Sequence, residues 1–367
     1  MTGLYIHIPF CASRCVYCGF YSTTRTELQD RYVDALCHEM QLRPLTKGAI
    51  CTIYIGGGTP SMLSAANLNR LLIYINKVYP VADGAEVTIE CNPDDMCHPG
   101  FILPPQVNRV SMGAQTFSDQ RLRFLNRRHN AAEVVKAVER LRQWGIRNIS
   151  LDLMFGFPSE TLADWQSDIG KALDLQVEHL SAYSLMYEEG TPLFRMLKQG
   201  RVQEINDELS LDMYNLLVDR LTGAGYEHYE ISNFARPGFR SKHNSSYWHD
   251  IPYIGLGAAA HSYSGTERSW NCADLLAYIQ AIESGLRPCE VEQIDASTHY
   301  NDIITTTLRT REGIDIGNLP CNQRKYLLQS ASKYLNEGLL CYEQGRLHLT
   351  RQGIYLSDTI MSDLMWV

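Results

Sequence analysis

Three cysteines stand close together near the beginning of the chain. Cys11, Cys15 and Cys18 lie within eight residues, directly after a run that is typical of a β-strand. Thiolates are soft ligands, and three of them can hold three irons of a [4Fe–4S] cluster and leave the fourth iron open. An open metal position allows a substrate or cofactor to bind the metal directly. The spacing therefore predicts a cluster with one free iron.

Two other uses of these cysteines stay open from the residues alone. A structural zinc site normally takes four nitrogen or sulfur ligands in paired Cys-x-x-Cys halves, and a fourth ligand could come from elsewhere in the chain. Cys15 and Cys18 also have the spacing of a redox pair. The x3–x2 spacing of the three cysteines is unlike that of a zinc knuckle, which favours the cluster.

A glycine triplet forms a second candidate binding element. Gly56-Gly57-Gly58-Thr59-Pro60 follows the second predicted strand. Glycines there allow backbone conformations that other residues avoid, and they let the main chain approach a ligand. Such a triplet is most often only a turn between a strand and a helix. Beside a cysteine loop at the same end of a sheet, it becomes a candidate clamp for a cofactor.

The first half of the chain alternates β-rich runs with amphipathic stretches. Strands are predicted at 4–8, 52–55, 86–90, 109–112, 149–154 and 179–183, and helices at 29–42, 65–78, 131–144 and 161–173. Six strand–helix units with parallel crossovers predict an α/β fold, a partial or full barrel. Ligands of such folds bind at the carboxyl ends of the strands. The cysteine loop and the glycine triplet both stand at that end.

The second half of the chain loses this alternation. We predict that residues 1–225 form the barrel, that 226–297 form an irregular segment which closes the site, and that 298–367 form a smaller, mainly helical domain resembling a winged helix. A hairpin is expected near the C-terminus, turned at Gln344-Gly345. Residues 298–367 contain seven basic and seven acidic side chains. Because DNA recognition needs a basic surface, this balance argues against nucleic acid as a partner.

The overall composition sets broad limits on function. The formal net charge is −8, and 45% of the residues are hydrophobic. This mild acidity disfavours binding to nucleic acid or to anionic membranes. The sequence shows no apolar run of membrane-helix length and no targeting peptide at its start. Of the eleven cysteines, the eight outside the group of Cys11, Cys15 and Cys18 are scattered, and with no export signal we expect reduced thiols in a cytoplasmic protein.

The cysteine motif resembles the signature of the radical S-adenosylmethionine (SAM) superfamily. Tyr17 occupies the aromatic place in Cys-x3-Cys-x-aromatic-Cys, and the lead-in Tyr5-Ile-His-Ile-Pro-Phe is similar to that of the oxygen-independent coproporphyrinogen III oxidase-like branch. The resemblance implies a partial (β/α)6 TIM-like barrel. It also implies a [4Fe–4S] cluster whose open iron chelates SAM, and reductive cleavage of SAM to a 5′-deoxyadenosyl radical.

The resemblance also implies which residues surround the cofactor. Cys11, Cys15 and Cys18 would ligate the cluster, and the positions that match the family around SAM are Tyr5, Tyr17, Gly57, Gly58, Thr59, Glu90, Gln115, Arg127 and Asp152. Glu90 and Asp152 stand in apolar strands, where burial without a partner would be costly. For Arg127, a solvated surface position stays open. In the oxidases some of these polar positions serve a second SAM molecule.

A later segment suggests heme. His243-Asn-Ser-Ser-Tyr247-Trp248 combines an imidazole, which can ligate heme iron, with aromatic side chains that can cover a porphyrin. A histidine beside Trp and Tyr is more often a hydrogen-bonded packing residue. The string is similar to one that marks the heme chaperone group of this branch, which makes His243 the candidate heme ligand.

Two departures from the oxidases point the same way. Phe20 stands where the oxidases have a further cysteine, and only ten residues precede Cys11, whereas the oxidases carry a longer N-terminal extension. We therefore predict a chaperone that binds heme and transfers it to a hemoprotein acceptor. Two alternatives stay open: an oxidase that decarboxylates coproporphyrinogen III, and a non-radical metal-binding protein with zinc at the cysteines.

Overall fold

Six parallel strands form the centre of the molecule. The computed structural model describes residues 2–45, 47–98 and 100–366. Strands β1 to β6 pair in sequence order and span Thr2–Ile8, Ile50–Gly57, Val81–Cys91, Arg109–Gln115, Ile149–Phe155 and His179–Ser184. Each contains a strand that the sequence predicts, so the α/β class is confirmed.

Helices connect the strands and continue past them. Within the described residues, α1 to α8 span Gln29–Leu42, Ala65–Val78, Pro93–Cys97, Asp119–Phe124, Ala131–Gln143, Leu162–Asp174, Pro192–Lys198 and Asp207–Gly223. Ser64 caps α2 by accepting a hydrogen bond from the Asn67 amide, and capping boxes begin α5 at Asn130 and α6 at Thr161. These caps satisfy amides that have no partner inside the helix, which fixes where each helix begins.

The two faces of the strands differ sharply. One face is aliphatic, as in Leu4, Ile6 and Ile8 of β1, and packs against the helices. The opposite face carries buried polar side chains, among them Thr52, Glu86, Thr88, Arg109, Ser111, Ser150, His179 and Ser181. Branched apolar residues usually fill the interior of an α/β barrel. A polar interior costs stability unless its groups find partners, and it therefore marks a functional interior.

The segment 226–297 is not irregular, which corrects the expectation from the sequence. It holds β7 to β12 and two helices, α9 and α10: β7 Glu227–Glu230, β8 Asn233–Ala235, α9 Lys242–Trp248, β9 Tyr253–Leu256, β10 His261–Tyr263, β11 Glu267–Asn271, α10 Leu275–Glu283 and β12 Cys289–Gln293. Strand β8 pairs with β6, and β9 pairs with β1. The twelve-stranded sheet thus ends at β12 and β7 within the described residues and stays open. These strands have five residues or fewer, too short to show a clear alternation.

The C-terminal part has a hydrophobic core of its own. It contains α11 Ala296–Thr307, β13 Ile314–Asp315, α12 Cys321–Asn336, β14 Leu340–Glu343, β15 Arg346–Leu349, α13 Arg351–Ile354 and α14 Ser357–Leu364. Its core includes Tyr300, Ile304 and Leu327. The expected hairpin is present: Gln344 and Gly345 have φ of 51° and 80°, as a two-residue type I′ turn requires. Nowhere in the described ranges does a helix combine the length and apolar character needed to cross a membrane.

Candidate functional site

Backbone hydrogen bonds and apolar packing hold the cysteine loop in place. The Cys11 amide donates to the Thr23 carbonyl (2.9 Å), and the Thr23 amide donates to the Pro9 carbonyl (2.7 Å), which closes the base of the loop. At its far end, the Val16 amide donates to the Leu125 carbonyl (3.2 Å). Val16 and Tyr17 pack on a small apolar cluster beside the barrel. The loop is therefore positioned before any ligand binds.

The three cysteines open into one cavity of about 190 Å³ at the carboxyl ends of the strands, called here the cysteine cavity. Eight of the nine residues assigned to the cofactor also line it: Tyr17, Gly57, Gly58, Thr59, Glu90, Gln115, Arg127 and Asp152. The exception, Tyr5, is partly buried and lines a second, larger cavity, where its hydroxyl lies 2.9 Å from His7 Nδ1. Residues spread over 142 positions of sequence thus line one cavity, and their contacts with a cofactor stay a prediction.

The thiols suit a cluster better than a zinc ion. All eleven cysteines are free. A tetrahedral zinc site would hold its sulfurs roughly 3.8 Å apart, given Zn–S bonds of about 2.3 Å. In the described part of the chain, ligand atoms within 4.8 Å of one another occur in Cys341, Glu343 and His348, not in the three loop cysteines. The wider spread of the loop thiols disfavours zinc and fits a larger inorganic core.

Polar neighbours adjust the thiols. Thr59 Oγ1 donates to Cys11 Sγ (3.5 Å), and Arg127 Nη1 donates to Cys15 Sγ (3.6 Å). Burial raises the pKa of Cys11 and Cys18 above the ordinary value. Iron binding must therefore displace protons from these thiols, and the donors from Thr59 and Arg127 favour the resulting thiolates.

Arg127 is partly buried and held by hydrogen bonds, which disfavours the solvated surface position left open by the sequence. Its Nη2 donates to Asn92 Oδ1 and to the Gly113 carbonyl, both at 2.7 Å. Asn92 in turn donates to Thr59 Oγ1 (3.3 Å). A continuous network therefore joins the cysteine loop to the ends of β2, β3 and β4. The sequence signal for Asn92 was its place directly after a strand, yet the residue was not assigned to the site.

Gln115 takes a strained backbone conformation at the end of β4. Its φ is 64°, although it is not glycine, and its side chain is buried beside the cysteine cavity. The pairing register between β4 and β5 shifts at this point. Backbone strain of this kind costs about 1–3 kcal/mol and concentrates at functional sites.

The glycine triplet brings two backbones into contact. A Cβ on Gly58 would lie 2.8 Å from the Ile8 carbonyl oxygen and 2.9 Å from that of Phe10. The amides of Gly58 and Thr59 already donate to these two carbonyls, and the Gly57 amide donates to Glu90. The triplet thus fixes the cysteine loop against β2. These amides have protein partners and are not free donors, which differs from the expectation.

Two partly buried carboxyl groups give the cavity its electrostatic character. Burial raises the pKa of Glu90, although Tyr54 (2.7 Å) and the Gly57 amide (2.9 Å) donate to it. The pKa of Asp152 is raised to about 7, mainly by burial and next by the charge of Glu90. Two carboxyl groups in one desolvated site favour a cationic ligand. A positive charge between them offsets the desolvation of the carboxylates and the repulsion between them. No sequence pattern indicates that Tyr54 supports Glu90.

His243 lies at the opposite end of the strands from the cysteine loop. Its Nδ1 is 2.8 Å from Thr52 Oγ1, its Nε2 is 2.9 Å from the Tyr247 hydroxyl, and its ring stacks on Tyr54. Only 1% of the residue is exposed, and burial lowers the pKa of its imidazole to about 3. In this conformation neither nitrogen is available to iron. His243 as a heme ligand stays a prediction that requires rearrangement.

Comparison with known proteins agrees with this geometry. Residues 5–172 match the family model of the radical SAM superfamily, and residues 294–356 match the HemN C-terminal domain. The chain is 34% identical to the heme chaperone HemW of Lactococcus lactis, over 99% of this chain and 97% of that protein. It is 36% identical to the heme chaperone HemW of Bacillus subtilis, over 98% of both.

A solved structure supports the fold. Coproporphyrinogen III oxidase (HemN) from Escherichia coli, described as a radical SAM enzyme, superposes with a TM-score of 0.82. The match covers 99% of this chain and 90% of the oxidase, at 22% sequence identity. At this identity the likeness establishes the shared fold and leaves the activity open.

Proposed function

The chain belongs to the family of HemW heme chaperones within the radical SAM superfamily, and we propose that it binds heme and passes it to a hemoprotein acceptor. The observation that carries the proposal is the convergence of three free thiols and eight cofactor-assigned residues on one cavity. The name of the relatives supports heme as the molecule that is carried. The identity of the acceptor is a matter for experiment.

We assign the cluster to Cys11, Cys15 and Cys18, with SAM at the open iron. The free thiols, their wide spread and the absence of a fourth cysteine from the loop support this assignment. When bound, the cluster and SAM would together supply one-electron chemistry, or they would control heme transfer according to the redox state of the cluster. Glu90 and Asp152 would face the cationic end of SAM, and Tyr17, Gly57, Gly58 and Thr59 would shape the wall around it.

Arg127 and Gln115 would complete the site. Arg127 stands 3.6 Å from Cys15 and compensates the negative charge of thiolates. Gln115 presents an amide to the cavity from the strained end of β4. Tyr5 lies outside the cysteine cavity, so its assigned contact with the cofactor would need the partition between the two cavities to shift.

Side-by-side titration and turnover would test the function. Anaerobically reconstituted protein is titrated with heme and, separately, incubated with coproporphyrinogen III, SAM and a reductant. The proposal predicts saturable heme binding, transfer to an apo-hemoprotein, and no stoichiometric decarboxylation. Conversion to protoporphyrinogen IX would establish the oxidase alternative instead.

We also propose a cytoplasmic location. A cluster on three thiols and eight further free cysteines suit a reducing compartment. Fractionation of cells with an antibody against the chain would test this, and recovery in an oxidising compartment would contradict it.

A further inference from the structure

A second cavity lies beside the cysteine cavity and is lined by aromatic side chains. It measures about 680 Å³, within the range of roughly 300–1,000 Å³ that small-molecule sites occupy. Its walls include Phe20, Tyr21, Tyr247, Trp248, Tyr253 and Tyr263, and we call it the aromatic cavity. Phe20 lines both cavities and is 70% exposed. A large flat ligand in the aromatic cavity would therefore lie next to the cysteine loop.

Three histidines line the aromatic cavity; His7 has partners at both ring nitrogens, and His299 has one at Nε2. His7 is buried, with Nδ1 2.9 Å from the Tyr5 hydroxyl and Nε2 2.9 Å from the Tyr21 carbonyl. His299 Nε2 lies 3.1 Å from a carboxylate oxygen of Asp250. His243 is not among the lining residues.

His261 is the third histidine, and its nitrogens are available. It is exposed, and no described side chain or carbonyl forms a hydrogen bond with its imidazole. Its ring stacks on Trp270 with 5.9 Å between the centroids, which fixes one face and leaves the ring edge open. Partial burial, and next the Arg268 charge, lower its pKa. The neutral form, which ligates metals, therefore dominates near pH 7.

The loop before His261 is held in an unusual conformation. Gly257 and Ala259 have φ of 102° and 60°. The buried Glu39 carboxylate accepts the Gly257 amide (2.8 Å), and the Tyr32 hydroxyl accepts the Ala258 amide (3.0 Å). Ala259 lines the aromatic cavity itself. Side chains of α1 thus hold this loop in a strained conformation that places His261 at the wall of the cavity.

Two buried donors in the cavity wall lack partners. Among the described residues, Trp248 Nε1 and Arg268 Nε are buried without a hydrogen bond. The Glu292 carboxylate lies 3.7 Å from Arg268 Nε, beyond hydrogen-bond distance, while Nη2 of the same side chain donates to Asp302 Oδ2 (2.7 Å). Buried polar groups are usually paired, and these two donors, both on residues of the cavity wall, are available to an acceptor that binds there. Heme carries two propionate groups that could serve.

We propose that heme binds in the aromatic cavity, with His261 ligating the iron and with Trp248 and Arg268 donating to the propionates. The inference rests on the proposed function for the identity of the ligand and goes beyond it by locating the site. It also assigns the axial ligand to His261 in place of His243. Transfer to an acceptor would then expose a heme edge at the cavity mouth, next to Phe20.

The axial ligand is tested with His261→Ala in the full-length, anaerobically reconstituted protein. Hemin titration should show a changed Soret band and binding weakened by about tenfold or more, equivalent to at least about 1.4 kcal/mol. Added imidazole should restore the wild-type spectrum. His38→Ala, which changes an exposed histidine of α1 that lines neither cavity, is the control and should bind heme like the wild type. Because His261 is exposed, its variant should keep its circular dichroism and its cluster.

The outcomes separate the two proposals. If the wild type binds heme and His261→Ala binds it with an unchanged spectrum and affinity, the inference is overturned and the function stands. Loss of binding in His243→Ala alone would likewise overturn it. If the wild type binds no heme, the proposed function itself fails. For the donors, Trp248→Phe should weaken binding of heme severalfold and leave binding of its dimethyl ester unchanged, and equal effects on both would refute the propionate contact.

Discussion

Asp152→Asn is expected to stabilise the cluster-free protein, and to do so more at high pH. The carboxyl group is partly buried in the polar interior, where desolvation and the nearby Glu90 raise its pKa from 3.8 to about 7. Folding therefore favours the protonated form. The stability that this group contributes is fully present below about pH 4 and is lost as the pH rises towards 7. An amide has no charge to lose and does not share this dependence.

The magnitude follows from the pKa. At 1.36 kcal/mol per pH unit, the full difference between the neutral and ionised states is ~4 kcal/mol. Integration of the linkage relation assigns about 2 kcal/mol of this to the interval between about pH 5.5 and about pH 8. We therefore expect the gain in stability from Asp152→Asn to be about 2 kcal/mol larger at the higher pH.

Urea unfolding of the two proteins at both pH values measures this quantity. The difference between the two mutational effects cancels every group that titrates alike in both proteins, and every pH-independent change in packing. The slope of free energy against urea should be the same for both proteins. An equal mutational effect at the two pH values would refute a neutral, desolvated Asp152.

Three further substitutions test the support of the site. Gly58→Ala forces a Cβ to within 2.9 Å of three backbone atoms, and should cost about 1–3 kcal/mol and reduce cluster content in iron assays; Gly170→Ala, a helical position with open space, is the control and should leave the cluster intact. Glu39→Gln should lower the free energy of urea unfolding by about 3–5 kcal/mol, because the buried Glu39 carboxylate neutralises the charges of Arg43 and Arg287, which lie 3.6 and 3.7 Å away. An effect below about 1 kcal/mol would contradict this role. Arg127→Leu leaves the partly buried Gly113 carbonyl and Asn92 amide oxygen without their donor, and should lower the unfolding free energy by about 2 kcal/mol and reduce cluster retention. Normal iron content would count against its contact with Cys15.

The strands and helices of the first half were predictable because their signals are local. Each parallel strand is apolar on the helix side and long enough to show it, and the helices at 29–42 and 65–78 begin and end where the sequence predicts. The cavity residues Glu90 and Asp152 stand out for the same reason, as charges in apolar strands. Local patterns do not indicate which of these residues lie close together, and that prediction rests on the resemblance to a family.

The second half was less predictable for physical reasons. The strands between 226 and 297 are short, and their place at the two edges of the sheet depends on long-range pairing with β1 and β6. His243 and His261 look alike in the sequence, since both stand among aromatic residues and glycines. Only the three-dimensional structure shows the difference: His243 is enclosed by Thr52 and Tyr247, whereas His261 faces a cavity.

The account depends most on an iron–sulfur cluster held by three cysteines. Protein purified and reconstituted without air is compared with a variant that has Cys11, Cys15 and Cys18 replaced by serine, through iron and sulfide analysis, absorbance, and the change in the reduced cluster's electron paramagnetic resonance on addition of SAM. The account predicts about four irons and four sulfides per chain in the wild type, a SAM-dependent spectral change, and neither in the variant. A wild-type protein that holds zinc instead, or a variant that keeps its cluster, would contradict it.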